Sequence, residues 1–217
     1  MKIRYLGHSC FQIISDNGTC VLADPYTQVG YELPQGLSAQ IVTISHAHFD
    51  HNYLQAVSGV QFVANEATVY EFNGIEIRGE NSWHDEKRGA LRGKNIIFKI
   101  KVDGIEFCHL GDLGESCRED LLQKIGKPDV LLLPVGGRYT IDALQAKEYA
   151  DKIGAKLTIP MHYLPQDGCL DIAAIDAFLH LTDKYVPCLN GEYIFTKKSL
   201  DKHSKEIVYM ERTNNAE

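Results

Sequence analysis

Over the first half of the chain, apolar and polar residues alternate in short runs, the period of strands that pack one face. Residues 2–6, 10–14 and 19–23 read as three successive strands. Asp16-Asn17-Gly18 joins the latter two, with Asn-Gly supplying the positive φ angles of a tight hairpin. Ile41-Val42-Thr43-Ile44-Ser45 forms a further, strongly apolar strand. Residues 52–58 suggest a short helix, after which 61–64, 69–72 and 75–78 return to strand, the last two around Asn73-Gly74. Another hairpin has arms at 96–102 and 105–110 around Asp103-Gly104.

The second half changes period. Helix 116–125, buried strand 130–133, helix 142–153, strand 156–159, helix 171–181 and strand 193–196 alternate as βα units do. In the helix from Asp142, residues Ala143, Ala146, Tyr149, Ala150 and Ile153 recur at helical spacing, which marks a core stripe, and Asp142 is suited to cap the first turn. From about residue 197 the chain is polar, with Lys197, Lys198, Lys202, Lys205, Asn214 and Asn215. This tail is expected to be peripheral and frayed, apart from an edge strand at 207–210. No internal repeat is present, and the pattern alone fits several architectures.

Composition narrows the class. A chain of 217 residues with 44% hydrophobic content buries one sizeable core, so a single domain over 1–217 is expected. A net charge of -7 argues against a nucleic-acid surface and leaves a small molecule as the expected partner, with self-association open. No apolar run approaches the ~20 residues of a membrane span, and a strand beginning at residue 2 leaves no room for a signal peptide, so the expected location is cytoplasmic. Cys10, Cys20, Cys108, Cys117, Cys169 and Cys188 form no Cys-x-x-Cys pair and read as reduced thiols.

The densest chemistry follows the strand that ends at Ser45. In His46-Ala47-His48-Phe49-Asp50-His51, three imidazoles and a carboxylate crowd six positions. Such donors suit zinc, manganese or iron, and no cysteine lies nearby to close a structural site, so the cluster reads as a catalytic metal centre. This hexapeptide resembles the signature of the metallo-β-lactamase-fold hydrolases. His84 in Ser82-Trp83-His84-Asp85, Asp112 in His109-Leu110-Gly111-Asp112 and His162 in Ile159-Pro160-Met161-His162-Tyr163 resemble that family's remaining ligands, in order, over residues 1 to about 195. Tyr5-Leu6-Gly7-His8-Ser9, Gly136-Gly137-Arg138-Tyr139-Thr140 and the Pro-Met-His triplet are most similar to a branch of metal-dependent hydrolases related to ascorbate-6-phosphate lactonase.

The resemblance implies an α/β (α+β) fold, a four-layer αββα sandwich with metals at its rim. It implies two divalent ions, zinc ahead of manganese or iron. His46, His48 and His84 would hold one, Asp50, His51 and His162 the other, and Asp112 both. Asp50, Asp112 and His162 are the expected catalytic groups, around a hydroxide that bridges the ions. His8 and Asp24 end strands near that rim and are expected to orient ligands or touch substrate. Arg88 and Arg92, in the cationic stretch after His84, and Arg138 are expected to grip an anion, and Tyr163 to stabilise an oxyanion. His109 reads as a satisfied strand residue, His180 and His203 as surface positions.

The function expected is metal-dependent hydrolysis of an ester, lactone, amide or phosphodiester in a small anionic substrate. Two other classes compete. An iron-dependent oxidoreductase of this fold would be expected to carry Glu where His48 stands and a flavin domain that 217 residues do not include. A non-enzymatic metal-binding module would be expected to have a broken ligand set.

Overall fold

The structure is a computed structural model that describes residues 1–214; Asn215, part of the polar end noted above, lies outside them. The chain runs β1 (Lys2–Gly7), β2 (Cys10–Ile14), β3 (Cys20–Ala23), β4 (Ile41–Thr43), β5 (Phe62–Ala64), β6 (Val69–Phe72), β7 (Ile75–Trp83), β8 (Lys94–Val102) and β9 (Ile105–His109). It continues through α1 (Glu119–Ile125), β10 (Val130–Pro134), α2 (Ala143–Ile153), β11 (Leu157–Met161), α3 (Asp176–Leu179), β12 (Val186–Cys188), β13 (Glu192–Ile194), α4 (Lys197–Leu200) and β14 (Glu206–Met210). These strands form two sheets, β13-β1-β2-β3-β4-β5 and β12-β14-β11-β10-β9-β8-β7-β6.

Alternation along the first sheet explains how the sheets stack. Ile3, Ile13, Val21 and Ile41 belong to one apolar cluster with Phe98, Phe107 and Leu132 of the second sheet, while Leu6, Cys10, Leu22 and Val42 point the other way into a separate cluster. Successive side chains of a strand face opposite sides, so both faces of this sheet are buried. Its outer face is covered by Tyr26, Val29 and Leu37 from the chain between β3 and β4, with Leu54 packed against them. In the second sheet, β10 is buried at every position and lies parallel to both β9 and β11, which accounts for its unbroken Val-Leu-Leu-Leu run. Each fully buried Leu or Phe there contributes on the order of 1.5–3 kcal/mol.

The turns and the long helix form where the pattern placed them. Asn73-Gly74 and Asp103-Gly104 have positive φ at both positions, and α2 starts with a reciprocal capping box between Asp142 and Gln145. Ala146, Tyr149, Ala150 and Ile153 form the buried stripe of α2.

Other elements differ, and tertiary contacts explain several of them. The expected helix at 52–58 is only a 3-10 turn, Leu54–Ala56, and that at 171–181 contracts to α3. The amide of Ala173 donates to Gly136 O and its carbonyl accepts from Leu164 N, which holds that stretch as a loop. The helix expected from residue 116 starts at Glu119. Strand β7 runs on to Trp83, paired with β8 along its length, although Gly79 and Asn81 are poor strand formers. Gly79 is needed there, since a Cβ would lie 2.5 Å from Glu66 O. The tail is integral: β14 lies between β11 and β12 rather than at an edge, and Leu200 of α4 is buried.

Four strands of this frame, β4, β7, β9 and β11, end within three residues of the sequence-predicted ligands His46, His84, Asp112 and His162. The loop after β10 packs against the last of them. A Cβ on Gly136 would lie 2.1 Å from His162 O, so no larger residue fits without moving one loop. We expect Gly136→Ala to lower the unfolding free energy by about 2 kcal/mol or more in urea titrations. Unchanged stability would mean that the loop yields freely.

Candidate metal centre

Asp112 is the hub of the site. It leaves the end of β9 through Gly111, and its carboxylate is 3% exposed. Its Oδ2 lies 3.2 Å from Nε2 of His84, 3.2 Å from Nε2 of His162 and 3.8 Å from Nε2 of His46, while Oδ1 lies 3.2 Å from Nε2 of His51. Around this hub the donor atoms fall into three groups, each with its atoms within 4.8 Å of one another: His46, His48 and His84; His46, His51 and Asp112; and His8, Asp50, His51 and His162. All seven expected ligands are thus brought together from four separate loops, and His8 joins them.

Polar atoms at the centre lack ordinary partners. His46 Nε2, His51 Nε2 and Asp112 Oδ1 are out of water and make no hydrogen bond. Each such atom costs roughly 1–3 kcal/mol, and a divalent cation is the group that would satisfy them together. The far side of two rings is already fixed. Nδ1 of His51 is 2.8 Å from Asp24 Oδ2, and Nδ1 of His46 is 2.9 Å from the Ser45 hydroxyl, which turns each Nε2 toward the hub. The donor set and its orientation therefore fit metal ions.

The charges agree with that fit. Burial opposes ionisation of Asp112, but the nearby His162 and His51 imidazoles outweigh it and hold the carboxyl well below its ordinary range. Burial and the neighbouring His51 push the His46 imidazole down to about 2; burial and His162 push His8 down to about 4. Both rings are neutral near pH 7, the form that ligates. His51 goes the opposite way, because the carboxylates of Asp112 and Asp24 outweigh its burial. A cation on its Nε2 side would meet the same demand for positive charge.

Several supporting residues escaped the sequence reading. Asn95, at the start of β8, is fully buried: its amide donates to Ser82 Oγ and Leu110 O, and its Oδ1 accepts from Asp112 N at 2.9 Å. Nothing local marks it, since alternation puts it on the same face of β8 as Ile97, Lys99 and Lys101. Ser45 donates from both N and Oγ to Asp24. Asp85 is no part of a loose charged run: its buried carboxylate accepts from the amides of Lys87, Gly89, Leu91 and Arg92 at 2.8–3.0 Å, organising the loop around itself. His109 is internally satisfied, with Nε2 donating to Ser9 O and Nδ1 accepting from Gly111 N.

A groove of about 960 Å³ opens beside the cluster, lined by His46, His48, Glu66, Arg92 and Lys94 among others. Of the expected anion-gripping arginines only Arg92 reaches it. Arg88 is exposed in the loop and lines none of it, and Arg138 pairs with Asp171. Arg92 and Arg138 flank the ring of Tyr139, 5.5 and 5.7 Å from its centroid. Tyr163 does not serve an oxyanion here, because its buried hydroxyl donates to Met210 O.

Known proteins match this chain over the same residues. The pattern of the beta-lactamase superfamily domain matches residues 2–162. A UPF0173 metal-dependent hydrolase of Methanospirillum hungatei is 31% identical over 189 residues, which are 75% of this chain and 83% of that protein. The crystal structure of a zinc-dependent hydrolase candidate of the metallo-beta-lactamase superfamily from Thermotoga maritima is 34% identical. It covers 96% of this chain and 97% of its own, with a TM-score of 0.76. Igni18, a metallo-hydrolase from Ignicoccus hospitalis, has a similar fold at 20% identity, with a TM-score of 0.67 over 98% of this chain and 95% of its own.

The buried amide of Asn95 sets the position of the hub. Asn95→Ala is expected to weaken divalent-metal affinity about ten- to a hundredfold in chelator competition, with the far-ultraviolet circular dichroism retained. Wild-type affinity in a folded variant would show that Asp112 is positioned without it.

Proposed function

The chain belongs to the β-lactamase superfamily and has its two-sheet fold, and we propose that it is a metal-dependent hydrolase of a small anionic substrate laid in the groove beside His46 and His48. One observation carries this reading: a buried carboxylate, Asp112, faced by four imidazoles whose inward nitrogens include two without any partner. His46, His48 and His84 would hold one ion, Asp50, His51 and His162 the other, and Asp112 would contact both. Divalent ions held there would bring the pKa of a water toward about 7 and polarise the scissile group. Zinc suits the three-histidine side, with manganese or iron as the next candidates.

The chain's own groups supply orientation and charge. Asp24 and Ser45 fix the rings of His51 and His46, and Asn95 fixes Asp112. Burial opposes charge on Asp50, but the adjacent His8 and the field of His51 keep its carboxyl below the ordinary range, so it stays an anionic ligand. A chain of net charge -7 repels anions at long range, and attraction must therefore be local. Arg92 and Lys94 provide it at the groove wall. Asp85, by gathering the amides on either side of Gly89 and up to Arg92, holds that wall in place before substrate arrives. An ester, lactone, amide or phosphodiester is the bond class that such a site attacks.

The test is a panel of lactones, phosphodiesters, thioesters and β-lactams assayed with protein of measured metal content. Asp112→Ala is expected to abolish turnover of whichever class is cleaved while the protein stays folded; a folded variant as active as wild type would exclude Asp112 from the reaction. Arg92→Ala is expected to raise KM at least tenfold for the anionic substrate, about 1.4 kcal/mol, with little change for a neutral analogue. Equal losses for both substrates would reduce Arg92 to a loop residue and remove the anion from the proposal.

A further inference from the structure

We propose that His8 is itself a metal ligand, its Nε2 joining Asp50, His51 and His162 as donors to a single buried ion. The inference rests on the reading of this cluster as a metal centre and adds an imidazole to it. His8 sits in the turn between β1 and β2, with its side chain 1% exposed. Its Nε2 lies 3.2 Å from Asp50 Oδ2, and the donor atoms of all four residues lie within 4.8 Å of one another. Two donors bound at ~2.0–2.2 Å to one ion stand roughly 3–4 Å apart, depending on the angle between them. The His8–Asp50 separation is thus the same as those of His51, His84 and His162 from Asp112.

The backbone builds the same association. His8 adopts φ 52, a left-handed conformation that is strained for a non-glycine residue. Its carbonyl accepts from the amide of His162 at 2.8 Å and from the Tyr5 hydroxyl at 3.0 Å, so the two histidines are joined main chain to main chain. Their rings lie 4.3 Å apart, and the ring of His51 lies 5.0 Å from that of His8. A strained turn that is tied to one ligand and aims an imidazole at two others is well built to present a donor.

The consequence is an asymmetric pair of ions. The groove-side ion would have His46, His48 and His84, with Asp112 beside His84 and exposed His48 on the groove wall. The other would have His8, Asp50, His51 and His162, a four-donor set that Asp112 adjoins through His51 and His162. None of those first four residues lines the groove. Substrate therefore meets the groove-side ion, and the buried ion is the last to leave.

The test uses the full chain loaded with cobalt(II). Proton NMR then counts paramagnetically shifted imidazole N–H signals that vanish in D2O: six are expected in the wild type, from His8, His46, His48, His51, His84 and His162. His8→Gln keeps an N–H donor for Asp50 but removes the imidazole. It is expected to lose one signal and to bind the more tightly held ion at least tenfold more weakly in chelator competition, with the weaker site unchanged. Two ions bound through five imidazoles in the wild type, or a His8→Gln variant with wild-type affinity at both sites, would reduce His8 to a hydrogen-bond partner of Asp50 and overturn this inference alone. A wild-type protein that binds no cobalt would overturn the metal-centre reading and this inference with it. The wild-type count decides the question even where the variant does not fold.

Discussion

A carboxylate removed from water must be met by donors or by positive charge, and Asp112 is where that requirement falls hardest. Its oxygens face four imidazoles, and one of them has no hydrogen bond at all. Burying an unpaired charge costs several kcal/mol, more than most single interactions in a domain of this size return. The fold tolerates the arrangement because the surrounding groups are themselves fixed. Asn95 holds the Asp112 amide, Asp24 holds His51, and Ser45 links Asp24 to His46. The polar groups run from the strand ends to the ring nitrogens, and His46 Nε2, His51 Nε2 and Asp112 Oδ1 are left open at the centre.

The sheets make such a network affordable by bringing strand ends together. Parallel β9, β10 and β11 end on the same side, and β4, parallel to β3, delivers the histidine-rich stretch to the facing rim. Close packing then leaves little slack: Gly136 sits against His162 and Gly111 against Asn95 and Ser45, at distances that admit no side chain. The groove and the ligands therefore have different mechanical characters. The ligands are set by buried strands and small residues, whereas Arg92 hangs on a surface loop gathered around the Asp85 carboxylate and rests against the Tyr139 ring.

Much of this was legible from the chain, and the limits were physical. The hexapeptide from His46 to His51 is local, so its chemistry is visible without a fold. The distant ligands His84, Asp112 and His162 carry no local signal of their own and were reached only through family resemblance. The hairpins at Asn73-Gly74 and Asp103-Gly104 and the capped helix from Asp142 formed as read, because turn and cap chemistry act over four residues, whereas in the Asn17-Gly18 turn only Gly18 has positive φ. The helix expected at 171–181 mostly did not form, since its amides and carbonyls found partners at Gly136 and Leu164. Asn95 and Asp85 were passed over for a related reason. Their roles depend on register and loop closure, which no window of sequence displays.

The C-terminal strands do something that the site chemistry does not reveal. β13 pairs with β1, β14 enters the second sheet beside β11, and Thr213 N donates to Tyr5 O next to the turn that carries His8. The two ends of the chain are thus sewn together under the cluster. During synthesis, β1 has no permanent neighbour on that side until about two hundred residues later, and contacts of such sequence separation form slowly. A chain cut before β13 would present its histidines on an unfinished sheet, with β1 unpaired along one side.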